Sequence, residues 1–133
     1  MLTFEHISLS YGEQKILNDV SFEVKDGQFA VFIGPSGCGK TTTLKMINRL
    51  IQPDSGRICL NGNDISTIDR YELRRHTGYV IQQIGLFPNM TVAQNISVVP
   101  KLLKWSKEKC DQTVHELLDM VGMPYDQYAH KYP

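Results

Sequence analysis

The sequence predicts an α/β fold in which antiparallel strands lead into a buried strand, a glycine-rich loop and a helix. Residues 29–33 are five apolar residues in succession, which is typical of a strand covered on both faces. They run directly into residues 34–41, whose pattern is Gly-x-x-x-x-Gly-Lys-Thr, a phosphate-binding pattern in the context it requires. The apolar residues of the predicted helix recur at helical spacing: Leu44, Ile47, Leu50 and Ile51.

Length and composition limit the chain to about one small domain. It has 133 residues, 41% of them hydrophobic, and its 14 basic residues balance its 14 acidic ones, so net charge gives no indication of nucleic-acid binding. No apolar stretch approaches the roughly 20 residues that span a bilayer. The N-terminus lacks the basic and apolar regions of a signal peptide. The three cysteines and four histidines lack metal-ligand spacing, and reduced thiols in a cytosolic protein are expected.

The N-terminal residues predict two antiparallel strands. Residues 2–11 alternate at Ile7, Leu9 and Tyr11, and a turn at Gly12-Glu13 follows. The second strand alternates at three apolar positions, Val20, Phe22 and Val24. A tight turn at Asp26-Gly27 then leads into the strand predicted at residues 29–33.

The segment after the first helix predicts a hairpin, a short helix and a short strand. Residues 53–56 end the helix with a turn. Residues 57–65 contain Asn61-Gly62 between two short extended runs, which indicates a hairpin. A polar helix is predicted at residues 70–75 and a strand at residues 78–81.

Two further helices are predicted in the C-terminal part of the chain. Thr91 and Gln94 match a capping box, and that helix must end by Pro100. The next begins near Ser106 and ends at Gly122. Its apolar face is expected to comprise Val114, Leu117, Leu118 and Val121.

The glycine-rich loop carries the clearest chemistry. Its glycines allow the backbone N–H groups to turn inward towards a polyphosphate, and the helix N-terminus adds positive potential. Lys40 can reach the β- and γ-phosphates, and the Thr41 hydroxyl can ligate Mg²⁺. The alternative, a turn that binds nothing, does not explain the strand, loop and helix occurring together. The predicted phosphate-binding residues are Gly34, Pro35, Ser36, Gly37, Cys38, Gly39, Lys40, Thr41 and Thr42.

Two other features have more than one interpretation. Tyr11 could stack on a base or could be an ordinary half-buried strand residue, and its spacing alone favours the second. The loop at residues 84–90 is unusually apolar. Such a loop either forms a docking surface or packs back on its own domain.

Taken together, these residues resemble the ATP-binding subunit of ABC transporters, a P-loop NTPase fold. The resemblance covers all 133 residues. It places Tyr11 at the adenine-stacking position, residues 34–42 at Walker A and Gln82 at the Q-loop glutamine. The stretch at residues 74–88 is similar to importers of quaternary-amine osmoprotectants, namely glycine betaine, carnitine and choline.

The resemblance implies ATP and Mg²⁺ as cofactors and ATP hydrolysis that drives solute uptake. Tyr11 would stack the adenine, Lys40 would act in catalysis, and Gln82 would contact Mg²⁺ or the attacking water. Residues 84–90 would receive a coupling helix of the permease subunits. A second ATP-binding subunit would complete a head-to-tail dimer in the full-length protein. The implied location is cytoplasmic, peripheral on the inner face of the cell membrane, with no nucleic-acid partner.

The resemblance also predicts that the family's domain is incomplete in this sequence. No apolar strand ending in Asp-Glu, the Walker B motif, is present, and neither are the Leu-Ser-Gly-Gly-Gln signature and the switch histidine. We therefore expect an N-terminal part of one ATP-binding domain that binds ATP at best. Residues 1–85 would be nucleotide-binding core and residues 86–133 the start of a helical subdomain. The alternatives are an importer subunit for polar amino acids and a soluble ABC ATPase without a permease.

Overall fold

The computed structural model describes residues 1–81 and 85–133. They form two compact units, Met1–Thr77 and Gly78–Pro133. The first unit contains a sheet with two helices, and the second is helical. Among the described residues, no helix has the length and apolar character needed to cross a bilayer.

The sheet of the first unit is antiparallel throughout. Its strands are β1 (Leu2–Tyr11), β2 (Gln14–Val24), β3 (Ser55–Leu60) and β4 (Asn63–Asp64), in the order β2-β1-β3-β4. A tight turn at Gly12 connects β1 to β2, and another at Asn61-Gly62 connects β3 to β4. All three residues have positive φ, as such turns require. The sequence predicted both hairpins, but Ser55 and Gly56 lie in β3 rather than in a turn.

Three register shifts interrupt the β1–β2 hairpin, and the first two are bulges that oppose each other. His6 and Asp19 both have φ of 53°, and we call them the bulge pair. The N–H of His6 donates to the Ser21 hydroxyl at 2.8 Å, and the N–H of Asp19 donates to the Ser8 hydroxyl at 3.0 Å. The side chains of the bulge pair contact each other at 2.7 Å. Each strand therefore supplies the partner for the backbone group that the other strand's bulge leaves unpaired.

The core of the first unit lies between the sheet and two helices, α1 (Lys40–Ile47) and α2 (Arg70–Arg75). Met46 of α1 is fully buried, and Asp69 caps α2 through its carboxylate. α1 ends at Ile47, one turn earlier than predicted, so Leu50 is half exposed. The buried core residues are Phe4, Ile7, Leu9, Leu17, Met46, Ile58, Ile65 and Leu73.

The strand predicted at residues 29–33 does not form in this structure. The segment contacts the sheet through Phe32, whose ring meets Phe22 edge-on at 5.4 Å. Phe29 and Ile33 are 94% and 92% exposed. Among the described residues, no strand pairs with this segment. The side chains of Phe29 and Ile33 therefore remain exposed to solvent. The strand predicted at residues 78–81 is likewise absent over the described residues, and Val80 is exposed.

The second unit comprises α3 (Val92–Ile96), α4 (Val98–Leu102), α5 (Lys107–Met120) and α6 (Tyr125–Tyr128). The predicted capping box forms, with Thr91 and Gln94 exchanging hydrogen bonds, and Ser106 caps α5 as predicted. The core of this unit comprises Val114, Leu118 and Ala129. The predicted apolar face of α5 is only partly correct. Leu117 and Val121 are exposed, and Cys110 is buried instead.

Candidate functional site

The glycine-rich loop forms a sharp turn between the extended segment and α1. Gly37 and Gly39 have φ of 83° and 95°, values that L-residues rarely adopt. Gly39 is the N-cap of α1 and no side chain caps this helix end. The first N–H groups of α1 therefore stay available to a ligand, as at other anion-binding helix termini.

Gly39 is held between β2 and α1. A Cβ at this position would lie 2.8 Å from Leu17 Cδ2 and 3.3 Å from the Ile16 carbonyl oxygen. The buried Thr43 hydroxyl donates to the Gly39 carbonyl at 3.0 Å. The left-handed backbone conformation is the main reason for glycine here, and crowding beside Leu17 and Ile16 adds to it.

The Lys40 side chain folds back over the loop. Its ammonium donates to the carbonyl oxygens of Gly34 at 2.8 Å and Pro35 at 2.7 Å, and it lies 3.5 Å from Cys38 Sγ. The ammonium group is thus already positioned over the loop. A bound phosphate would replace the carbonyl oxygens as its hydrogen-bond acceptor. A Cβ at Gly34 would lie 2.7 Å from Cys38 Sγ, the end of an exposed side chain.

The loop borders an open cleft of about 430 Å³. The cleft also contains Tyr11, from the tip of the β1–β2 hairpin, with 54% of its surface exposed. An exposed aromatic ring and a phosphate-binding loop in one cleft suit a ligand with a flat ring and a phosphate chain. The lining residues are Tyr11, Ile16, Ser36, Gly37, Gly39, Lys40, Thr41 and Thr42.

The structure therefore brings Tyr11 together with six of the nine predicted loop residues, whereas Gly34, Pro35 and Cys38 do not line the cleft. Gln82, predicted to act beside them, lies outside the described residues. Sequence reasoning missed Ile16 and Leu17, which line the cleft or support it. Their apolar character was visible, but it indicates only a strand, and their contact with Gly39 depends on tertiary packing.

The part of the chain described here contains no group of three or more His, Cys, Asp or Glu side chains placed to hold a metal ion. A divalent cation in this cleft would depend on the Thr41 hydroxyl and on oxygen atoms of the ligand. Oxygen ligands of this kind suit Mg²⁺, which keeps several waters and is commonly bound through phosphates. The residues present thus fit Mg²⁺ carried by a nucleotide rather than a resident metal.

The second unit presents an ordered apolar loop. The Asn95 side-chain oxygen accepts from the Phe87 N–H at 2.8 Å. Its amide nitrogen donates to the carbonyl oxygens of Phe87 and Met90 at 3.1 and 3.0 Å. Leu86 and Phe87 remain about half exposed. Asn95 was not singled out in the sequence, although an Asn one turn inside a capped helix can bond back to the preceding loop.

The sequence is similar to known proteins along its whole length. The family model described as ABC transporter matches residues 17–132. The glycine betaine/carnitine/choline transport ATP-binding protein OpuCA of Bacillus subtilis is 56% identical over the whole chain. The carnitine transport ATP-binding protein OpuCA of Listeria monocytogenes is 53% identical, again over the whole chain. The chain spans 35% and 34% of these two proteins, about a third of their length.

The fold has a solved counterpart. The dimeric ATP-binding cassette MJ0796, in a post-hydrolysis state bound to ADP and Pi, superposes with a TM-score of 0.81 at 30% identity. The match covers 98% of this chain and 61% of that one. The predicted α/β fold of P-loop type and the predicted resemblance to quaternary-amine importer subunits are both confirmed. The chain belongs to the ABC transporter family.

Proposed function

We propose that this chain is the N-terminal part of the ATP-binding, energy-coupling subunit of an importer for quaternary-amine osmoprotectants. The observation that carries the proposal is the cleft in which Tyr11, Lys40 and the N-terminus of α1 face the same space. The names of the two relatives support the solute class, because both are quaternary-amine transport ATP-binding proteins.

The proposed ligand is ATP. Its phosphates would lie against the loop N–H groups and the N-terminus of α1, and its adenine would stack on Tyr11. The Lys40 ammonium, which the Gly34 and Pro35 carbonyls hold over the loop before binding, would exchange these carbonyl oxygens for oxygens of the β- and γ-phosphates. This contact holds the cation in place before binding, so less side-chain entropy is lost when phosphate arrives.

Mg²⁺ would neutralise charge on the transferring phosphoryl group. The Thr41 hydroxyl would hold it together with phosphate oxygens. We also propose that Gln82 contacts Mg²⁺ or the attacking water. Residues 34–42 and Tyr11 are thus the proposed nucleotide-binding residues. The first unit would be the nucleotide-binding core, and the second would begin the helical subdomain.

We expect this chain alone to bind ATP without appreciable turnover. Its 133-residue sequence contains no Asp-Glu pair and no Leu-Ser-Gly-Gly-Gln segment. The developing charge in phosphoryl transfer would therefore lack several of its stabilising groups. A complete site would need a second ATP-binding subunit, placed head-to-tail in the full-length protein.

The loop at residues 84–90 is the proposed contact with permease subunits, which would hold the protein on the cytoplasmic face of the membrane. Over its described residues, Asn95 fixes the backbone while Leu86 and Phe87 stay half exposed. An ordered loop with exposed apolar side chains favours docking over packing within its own unit.

The test is a titration with Mg-ATP that compares wild type, Lys40→Ala and Lys45→Ala. Both lysines lie on α1, but Lys45 is in its last turn. We expect Lys40→Ala to weaken binding at least about tenfold through loss of charge-assisted hydrogen bonds, and Lys45→Ala to leave it unchanged. Equal effects of the two substitutions would contradict the proposed phosphate site.

The solute class needs a separate assay on the full-length subunit reconstituted with its permease in liposomes. Uptake of glycine betaine driven by ATP is expected, with glutamine as the matched polar amino acid. Uptake of glutamine alone would favour an amino-acid importer. Recovery with ribosomes rather than with membranes would favour a soluble ABC ATPase.

A further inference from the structure

We propose that Leu17 is a positioning residue that sets the distance between the adenine-stacking ring of Tyr11 and the phosphate loop. This inference rests on the proposed function, because it concerns how the two ends of one ATP molecule are held. It assigns to a core residue of β2 a role in nucleotide recognition that its burial alone does not imply.

The first step of the argument is the contact at Gly39. Leu17 Cδ2 occupies the space beside the Gly39 α-carbon, only 2.8 Å from where a Cβ would lie. The Thr43 hydroxyl and N–H both donate to the Gly39 carbonyl, at 3.0 and 2.8 Å. Gly39 is thus contacted by β2 through Leu17 and bonded to α1 through Thr43, and the peptide that follows it carries Lys40. Moving the Leu17 side chain would allow this left-handed turn to shift.

The second step is the rigidity of the hairpin that carries both groups. Tyr11 pairs with Gln14 at the tip of the β1–β2 hairpin, and Leu9 pairs with Leu17 a few residues below it. One hydrogen-bonded hairpin therefore bears the base-stacking ring at its tip and the support for Gly39 on its inner face. A register shift between Leu9 and Ser10 lies between these two groups, and the hairpin would set the distance between base and phosphates as long as Leu17 keeps its place against Gly39.

The consequence concerns specificity. A cleft with a fixed spacing favours ligands whose ring and phosphates are joined at the matching length, here an adenosine di- or triphosphate. Inorganic tripolyphosphate would use the loop but gain nothing from the spacing. Substitution of Leu17 should therefore lower the affinity for ATP more than the affinity for tripolyphosphate. Substitution of a residue that only stabilises the core should not distinguish between the two ligands.

The test compares Leu17→Val with Ile58→Val. Both positions belong to the same buried core, both changes delete one methylene-sized group, and Ile58 is on β3, two strands from β2. Leu17→Val removes the δ-carbons that contact Gly39. Affinities for Mg-ATP and for tripolyphosphate are measured for each variant, alone and combined with Tyr11→Ala.

In wild type we expect Tyr11→Ala to weaken ATP binding. In the Leu17→Val background we expect this loss of affinity to be about threefold to tenfold smaller, which is the size of coupling typical of residues that interact within one network. Ile58→Val should leave the Tyr11 effect intact. Should Leu17→Val fail to fold, Leu17→Met keeps the buried volume but displaces the terminal methyl group, and it should show the same coupling.

Independent effects of Tyr11 and Leu17, or identical effects of Leu17→Val and Ile58→Val on ATP binding, would overturn the positioning role while leaving ATP binding itself intact. A wild-type chain that binds neither ATP nor tripolyphosphate would instead overturn the proposed function, and this inference with it.

Discussion

Replacing Gly39 with alanine tests both causes of the glycine requirement in the phosphate loop. Gly37 is the matched control, because it also has positive φ but has open space where a Cβ would lie. In each variant, alanine in a left-handed conformation costs about 1–2 kcal/mol, offset by about 0.4–1 kcal/mol from the reduced entropy of the unfolded chain. Gly37→Ala should therefore destabilise the protein by about 1 kcal/mol or less.

Gly39→Ala has an additional steric cost. The new methyl group would lie 2.8 Å from Leu17 Cδ2 and 3.3 Å from the Ile16 carbonyl oxygen. Overpacking of this kind typically costs about 1–3 kcal/mol, so the total with the conformational cost should be about 1–4 kcal/mol. Urea unfolding followed by far-ultraviolet circular dichroism measures both values, and Mg-ATP titration should show the larger loss for Gly39→Ala. Equal destabilisation by the two substitutions would refute the clamp between β2 and α1.

Three further outcomes are expected. Alkylation of Cys38 by iodoacetamide should block Mg-ATP binding, because Sγ lies 3.5 Å from Lys40 Nζ. The Cys38→Ser variant should bind Mg-ATP even after treatment with the reagent. Modification of Cys38 without loss of binding would contradict this expectation. Hydrogen bonds from the side chain and backbone of Ser66 lower the pKa of Asp64. The ionised carboxylate therefore stabilises the fold above the ordinary aspartate pKa of about 3.9, and this contribution is lost as pH falls through the lower folded pKa. Unfolding measured from neutral pH into acid should show Asp64→Asn less stable than wild type at about pH 7, and the difference should close as pH falls below the ordinary aspartate pKa of about 3.9. Thr91→Ala should destabilise the second unit by about 1 kcal/mol through loss of the capping box, measured by helical circular dichroism, whereas a change below a few tenths would mean that tertiary contacts fix α3.

The features that the sequence predicted correctly are governed by local chemistry. Asn61-Gly62 fixes a hairpin turn, the helix predicted at residues 70–75 forms, and Thr91 caps the next helix with Gln94. The glycine-rich loop was likewise predictable, because its pattern encodes backbone conformation directly. In each case the residues that determine the structure lie within a few positions of one another.

The failures concern properties that depend on distant partners. Residues 29–33 have the composition of a buried strand, but burial requires neighbours on both sides, and the described residues supply a contact only at Phe32. Leu17 could be predicted as a core residue, yet its contact with Gly39 follows from how β2 lies against α1. The hydrogen bonds of the Asn95 side chain could not be predicted, because they depend on the path of the preceding loop.

The bulge pair also constrains how the first hairpin can change in length. Phe4 and Ile7 are three residues apart yet belong to the same core, because His6 is the extra residue that brings the two ends of β1 back into phase. Deleting His6 alone would leave β2 with its own extra residue, Asp19, and would turn part of the pairing to the wrong face. Deleting both would keep the pairs on either side, Phe4 with Phe22 and Leu9 with Leu17, in their present register, and the separate register shift between Leu9 and Ser10 would remain. Length changes in this hairpin are therefore tolerable only as matched pairs, one in each strand, if Tyr11 is to stay level with the phosphate loop.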